Sequence, residues 1–302
     1  MPQMTVLEIL NRTKVFFEKK GVPDARLDAE YIISHGLGMK SRMDIYLNFE
    51  KPLTAAELDT LRPLVARRAN REPLQHIVGD TSFRGFIIKC DPRALIPRPE
   101  TESLVDMAKE RLKGIENPFI VEVGTGTGAI SIACAKEIAG AKVLATDISE
   151  DALALARDNA EANGLGEGTE GANLAFAQGD LLEAATADAI AKAAGNADQK
   201  IDCLVANLPY IPDGEKGKLQ PEVDKFDPAL ALYGGPDGLD LVRKLLQQTD
   251  GKLNPGAPIL LEIGSEQAEI LKNEAASYPW LEFAGIHKDY NGNVRFVSYK
   301  AK

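Results

Sequence analysis

Between Phe119 and Gly264 short apolar runs alternate with stretches of helical spacing, and that alternation constrains the fold more than any other feature of the 302 residues. The runs are "FIVEVG" 119 to 124, "KVLATD" 142 to 147, "LAFAQGD" 174 to 180, "IDCLVAN" 201 to 207 and "PILLEIG" 258 to 264. Successive rather than alternate positions are apolar, which predicts strands buried on both faces. Between them lie the helical blocks "GAISIACAKEIA", "SEDALALARDNAEANG", an Ala-rich stretch near 182 to 195, and "GLDLVRKLLQQTD". This order predicts an α/β fold, a mostly parallel sheet with helices on both faces. The tail breaks the rhythm. "WLEFAGIHKDYNGNVRFVSYK" offers two strands about a turn at Asn291-Gly292, and so an antiparallel C-terminal edge.

The front of the chain has a different texture. From Thr5 to about Arg71 apolar residues recur at helical spacing, with breaks at Gly21-Val22-Pro23 and around Pro52. Thr54 followed by Glu57 predicts a capping box opening a helix. A small helical domain is expected over 1 to 72. In "REPLQHIVGDTSFRGFIIKCDP" β-branched and aromatic residues with Gly-Asp and Arg-Gly turns predict a β-hairpin from 73 to about 92, within a linker over 73 to 95. A larger α/β domain follows over 96 to 302. "LIPRPETESLVDMAKERL" leads it into a helix through restricting prolines, with Glu100 and Glu102 at the helix start as candidates for closing a site. Residues 164 to 173 and the Ala-rich 183 to 200 read as inserted loops, the second with helical propensity.

Composition narrows the function classes. With 44% hydrophobic and 26% charged residues the chain has ample apolar content for a core, which excludes disorder for most of it. The formal charge is -10, and residues 1 to 80 carry twelve Lys+Arg against eleven Asp+Glu, so the acidity belongs to the later part. A large sequence-independent nucleic-acid footprint needs clustered cations and is not expected. Cys90, Cys134 and Cys203 are far apart and odd in number, so reduced thiols are expected, with neither a disulfide framework nor a metal site. No apolar run approaches the roughly 20 residues that span a bilayer, and the first residues read as an amphipathic helix. A cytoplasmic protein without membrane contact is expected.

Three strand ends carry residues suited to ligand chemistry. "VEVGTGTGAIS" places Gly124, Gly126 and Gly128 between a strand and a helix, where glycines let the backbone approach a ligand and a helix N-terminus offers free N–H groups. Gly124, Gly126 and Ala129 also satisfy a loose dinucleotide fingerprint, so a nicotinamide oxidoreductase stays open at this point. Asp147, at the end of the second strand, is placed to accept from both hydroxyls of an adenosine ribose, or to cap the helix that follows. Asp180 ends the third strand where it can accept from an adenine amino group, with Leu181 against the ring.

After the fourth strand comes "VANLPYIP". Pro209 pushes Leu208 toward an extended conformation, so backbone carbonyls project from the turn. Asn207 adds a side-chain carbonyl acceptor and Tyr210 a flat face. Two acceptors beside a ring plane can hold a planar NH₂ group and aim its nitrogen at an electrophilic methyl. On these four residues alone, the NH₂ of adenine and that of glutamine remain equally open.

Taken together, "REPLQHIVG", "LIPRPETESLV", "EVGTGTGAISIACA", "ATDISEDALALARDNA", "NLPYIP", "GGPDGLDLVRKLL", "LLEIGSEQ" and "KDYNGNVRFV" resemble the class I S-adenosylmethionine-dependent methyltransferases with their Rossmann-like fold. Within them the chain is similar to the PrmC/HemK family, which methylates the glutamine of peptide-chain release factors. The resemblance implies a helical domain that helps dock the release factor. It also implies a loop, Gly124, Thr125, Gly126, Thr127 and Gly128, around the methionine end of S-adenosylmethionine. Asp147 would take the ribose, Asp180 and Leu181 the adenine side, and Asn207, Leu208, Pro209 and Tyr210 the substrate glutamine of a Gly-Gly-Gln loop, with Asn207 also beside the cofactor and Asn207 and Tyr210 as catalytic residues. One departure is Leu208, where the family usually has Pro. Asn-Leu-Pro-Tyr is also typical of ribosomal RNA adenine dimethyltransferases, but those are expected to be basic and to carry their helical domain last.

Overall fold

The computed structural model describes residues 3–166, 169 and 173–302. In chain order the elements are α1 (Val6–Lys19), α2 (Ala25–Gly36), α3 (Asp44–Leu47), α4 (Ala55–Ala69), α5 (Leu74–Val78), β1 (Asp80–Phe83) and β2 (Phe86–Lys89). They continue with α6 (Glu102–Arg111), β3 (Phe119–Val123), α7 (Ala129–Glu137), β4 (Lys142–Asp147), α8 (Glu150–Ala162), β5 (Leu174–Gln178), α9 (Ala187–Ala194) and β6 (Cys203–Ala206). The chain ends with α10 (Pro221–Phe226), α11 (Asp240–Gln248), β7 (Pro258–Glu262), α12 (Ala268–Glu274), β8 (Leu281–Lys288) and β9 (Val294–Ala301). Part of the stretch read as an insertion at 164 to 173 lies outside the described residues. The later one holds α9, capped by the Thr186 hydroxyl.

The chain forms two compact units, Met1–Asp80 with Lys218–Phe226, and Thr81–Gly217 with Asp227–Lys302. In the first, α1 buries Val6, Leu10, Thr13 and Phe17, a spacing of four, three and four that puts one stripe on the core. The expected box at Thr54 is formed, with the hydroxyl accepting from Glu57 N at 3.2 Å and Glu57 Oε2 accepting from Thr54 N at 2.8 Å. A second box joins Thr5 and Glu8.

The α10 segment belongs to this unit through charge. Arg68 Nε donates to Asp28 at 2.7 Å and Arg68 Nη1 to Glu222 at 2.9 Å, while Arg71 grips both oxygens of Glu222 at 2.6 Å. Arg68 and Asp28 are buried, and burial raises the Asp28 carboxyl despite its partner. Removing one member of such a cluster strands the other in low dielectric. Asp28→Ala is therefore expected to lower the stability of the helical unit by about 3 kcal/mol, measured as a fall in the denaturant midpoint. A shift too small to detect would mean that Glu222 alone satisfies Arg68.

The hairpin expected from 73 to about 92 is shorter than the residue types suggested. Pro73 precedes a helical turn, α5, which ends at Gly79 with φ of 95°, and only Asp80–Phe83 and Phe86–Lys89 pair as strands. The β-branched residues Ile77 and Val78 belong to this helical turn, and Ile77 is packed into the helical core. The linker read over 73 to 95 is accordingly divided, since the units part between Asp80 and Thr81. Arg84 and Gly85 turn the hairpin with φ of 50° and 82°.

Among the described residues the second unit holds a seven-stranded sheet in the order β5-β4-β3-β6-β7-β9-β8, parallel except for β9 and β8. All five residues of β3 are buried, as expected of a strand covered on both faces. The order reverses at β3, which pairs β4 on one side and β6 on the other. A ligand crevice opens at such a reversal, outside the carboxyl ends of the strands.

Candidate active site

Register brings the three motifs to one edge. Val123 pairs with Thr146 and with Ala206, so Gly124 just past β3, Asp147 ending β4 and Asn207 just past β6 stand at the same level. They line one cleft, together with Thr125, Gly126, Thr127, Asp180, Leu181, Leu208 and Pro209. Gly128 and Tyr210 are not among the lining residues.

The glycine loop is held by carboxylates beneath it. Gly124, Gly126 and Gly128 have φ of 75°, 54° and 81°, a region that costs a side chain. At Gly128 a Cβ would also come 3.3 Å from the Ala156 backbone. Asp147 Oδ2 accepts from Gly126 N, and its Oδ1 from Ser149 N, both at 2.9 Å. The cap of α8 is the Ser149 hydroxyl, so Asp147 serves the loop and the cleft instead of the helix end. Burial raises the Asp147 carboxyl, against three backbone N–H groups that lower it.

Glu122, a carboxylate inside β3, was not singled out from the sequence. Its Oε2 accepts from Thr125 Oγ1 at 2.7 Å, from Ser131 N at 2.9 Å and from the Ser131 hydroxyl. It thus ties the loop and the first turn of α7 to the strand. Full burial pushes its carboxyl up to about 7. The signal was present, since a charged residue in the middle of an otherwise apolar strand is rarely there for solvation.

Those same bonds take up two of the N–H groups that a dinucleotide would use. A pyrophosphate needs free N–H groups at the glycine turn and the helix N-terminus. Here Gly126 N and Ser131 N are already given to Asp147 and Glu122. A nucleoside with a cationic sulfonium and no phosphate fits this acidic lining, with Ile148, Leu181 and Ala152 as apolar walls. Leu181 is held at φ of 54°, and Asp180 is ion-paired with Lys244.

The Asn-Leu-Pro-Tyr turn is supported from behind. Ile211 N donates to Leu232 O and Gly234 N to Ile211 O, both at 3.0 Å. Gln267 Nε2 donates to Tyr210 O at 2.8 Å and to Asp237 O at 2.9 Å. Leu208 is 4% exposed, and its Cδ2 reaches within 3.0 Å of where a Cβ on Gly124 would lie. Its side chain therefore fills the core beneath the glycine loop. The Tyr210 hydroxyl is hydrogen-bonded with Glu262 and Arg295, and burial first and Glu262 second push it up to about 12.

The proline-rich stretch forms another wall, with Arg93, Ala94, Leu95, Ile96, Pro97, Arg98 and Thr101 lining the cleft. Of the two glutamates expected to help close it, Glu102 instead accepts from Arg84 N at 2.8 Å and fixes the hairpin turn. Glu100 is half-buried beside Glu262 without lining the cleft.

Comparison with known proteins identifies the family. The family description "PrmC N-terminal domain" matches residues 8–79, and "Methyltransferase domain" matches residues 120–220. A release factor glutamine methyltransferase of Geobacter sulfurreducens is 39% identical over 88% of this chain and 86% of its own length. One of Chlorobaculum tepidum is 36% identical over 99% and 98%. Among solved structures, the catalytic domain of hMettl16, in complex with MAT2A 3'UTR hairpin 6, aligns with a TM-score of 0.53 at 15% identity, covering 79% of this chain and 81% of that one, a likeness of fold alone. With relatives this similar along almost its whole length, the chain belongs to the release factor glutamine methyltransferases and is an S-adenosylmethionine-dependent protein-(glutamine-N5) methyltransferase.

Proposed function

We propose that this chain methylates the side-chain amide nitrogen of the glutamine in the Gly-Gly-Gln loop of peptide-chain release factors, at the cleft between the glycine loop and the Asn-Leu-Pro-Tyr turn. The observation that carries the reading is the convergence of Gly124, Asp147, Asn207, Leu208 and Pro209 on one cleft. When bound, the cofactor supplies an electrophilic methyl on its sulfonium sulfur. Glu122 and Asp147 keep the loop in the shape that receives it, and Asp147 takes the ribose hydroxyls. Asp180 and Leu181 flank the adenine.

Asn207 Oδ1 and the Leu208 carbonyl accept the two N–H bonds of the substrate amide. An amide nitrogen is a poor nucleophile because its lone pair is delocalised. Two acceptors in the amide plane fix its orientation, polarise both N–H bonds, and favour loss of a proton to solvent as the new N–C bond forms. No strong base is required. Tyr210 contributes by anchoring the turn, through the bonds of its hydroxyl and its carbonyl.

The release factor docks with help from the helical unit, and the protein works in the cytoplasm, where translation ends. No helix among the described residues is long and apolar enough to cross a membrane. The net charge of -10 supports a protein substrate over RNA. Labelled cofactor incubated with a release factor, intact or with its loop glutamine replaced, tests the reading. Label only on the intact factor supports it, and equal label on both overturns it. Asp147→Ala should raise the Kd for the cofactor by about 10- to 100-fold, the worth of one charge-assisted hydrogen bond, with kcat at saturation falling much less. Isothermal titration measures the first. An unchanged Kd would remove Asp147 from the cofactor site.

A further inference from the structure

Resting on the role given to Asn207, we infer that Thr101 and Glu262 are positioning residues that fix which end of the Asn207 amide faces the substrate. Asn207 Nδ2 donates to Thr101 Oγ1 at 3.2 Å, and Thr101 Oγ1 donates to Glu262 Oε2 at 2.7 Å. Both are buried, Thr101 at 5% and Glu262 at 2% exposure. The three residues come from separate places, the turn before α6 and the ends of β6 and β7. Asn207 and Glu262 lie one step past the last β6–β7 pair, Ala206 with Leu261.

Proton counting gives the direction. A hydroxyl has one hydrogen to donate. Once Thr101 gives it to a carboxylate, only lone pairs remain for Asn207, and these accept N–H and repel a carbonyl oxygen. Asn207 must then turn Nδ2 toward Thr101, which leaves Oδ1 for the substrate. A flipped amide would set Oδ1 against the Thr101 lone pairs and an NH₂ against the substrate NH₂, a clash at each end.

The relay depends on an ionised Glu262. Its carboxyl faces Thr101 and Glu100 from the turn before α6, Tyr210 from the turn after β6, and Arg295 from β9. Burial, with Glu100, pushes it up to about 7, against Thr101, Arg295 and Tyr210. Below that pH a protonated Glu262 can donate to Thr101 Oγ1 and release the hydroxyl proton toward Asn207, so the orientation is no longer enforced. Turnover should therefore rise with pH through about 7.

The test measures kcat, KM for each substrate and the pH profile in Thr101→Val, Thr101→Ser, Glu262→Gln and Asn207→Ala. Thr101→Val keeps the shape and loses the hydroxyl, so kcat should fall about 10²-fold with cofactor Kd little changed, and Thr101→Ser should restore most of it. A glutamine at 262 accepts from Thr101 through its own carbonyl at every pH. Glu262→Gln should therefore lack the part of the rise near 7 that Glu262 contributes, while any part due to Glu122 remains. Wild-type kcat in Thr101→Val, beside a strongly lowered kcat in Asn207→Ala, overturns this inference and leaves the function standing. Wild-type kcat in Asn207→Ala overturns the function reading itself. Should Thr101→Val fail to fold, Glu262→Gln decides, since an unchanged pH profile is the contrary result.

Discussion

Asn207→Ala is expected to lower kcat by about 10²- to 10³-fold, the cost of removing one preorganised polar group at the reacting centre, while cofactor Kd stays close to that of the unaltered protein. The asymmetry follows from position. In the proposed site the cofactor would rest on the glycine loop and Asp147, and no hydrogen bond among the described residues ties the Asn207 side chain to either. In the proposed mechanism Asn207 accepts from the substrate nitrogen, and that interaction would strengthen only as the nitrogen becomes acidic. Steady-state kinetics at saturating cofactor, with a separate binding titration, separates the two quantities. A variant that lost cofactor affinity and turnover equally would make Asn207 a binding residue instead.

Gly238→Ala should be nearly as damaging, although the residue does not line the cleft. Gly238 has φ of 78°, and a Cβ there would overlap the Tyr210 carbonyl oxygen and come 2.5 Å from Gln267 Nε2. Neither neighbour is free to yield, because Gln267 bridges Tyr210 O to Asp237 O. Gly234 is in the same position toward the Pro209 carbonyl. The backbone of the turn must move, and a displacement of about 1 Å at a catalytic turn costs on the order of 10²-fold in rate. The left-handed conformation adds about 1–2 kcal/mol of destabilisation. Gly251→Ala is the matched comparison, with φ of 70° and open space around it. It should lose similar stability from strain and no turnover. Equal kcat in the two variants would show that the turn tolerates displacement.

These two residues mark the limit of what the sequence discloses. The placement of Gly124, Asp147, Asp180 and Asn207 on one edge was legible because each lies at or just past a strand's carboxyl end, and strands in a parallel sheet deliver those ends to one edge. Local pattern therefore implied a shared site. The glycines of "GGPDG" could be recognised as a motif but not explained, since their reason is the backbone of Pro209 and Tyr210, which approaches only in the folded chain. Thr101 and Glu262 are separated by 161 residues, and no local spacing links a turn hydroxyl to a strand carboxylate. Leu208 read only as a departure from the family's usual Pro, whereas its side chain packs under Gly124. The place of α10 was equally hidden, because the Arg68 and Arg71 pairing with Glu222 is a long-range match of charges. At Leu74–Val78 local propensity pointed the wrong way, and a proline followed by a left-handed glycine set a helical turn where β-branched residues suggested a strand.

The central claim is that the cleft presents a glutamine amide nitrogen to the methyl donor. Fragmentation mass spectrometry of a release factor after reaction with this enzyme and S-adenosylmethionine tests it most directly. The account predicts a single methyl group on the side-chain nitrogen of the Gly-Gly-Gln glutamine, formed far more slowly in the Asn207→Ala reaction. A methyl group on any other residue, or transfer to adenine in RNA with the factor unmodified, would contradict it.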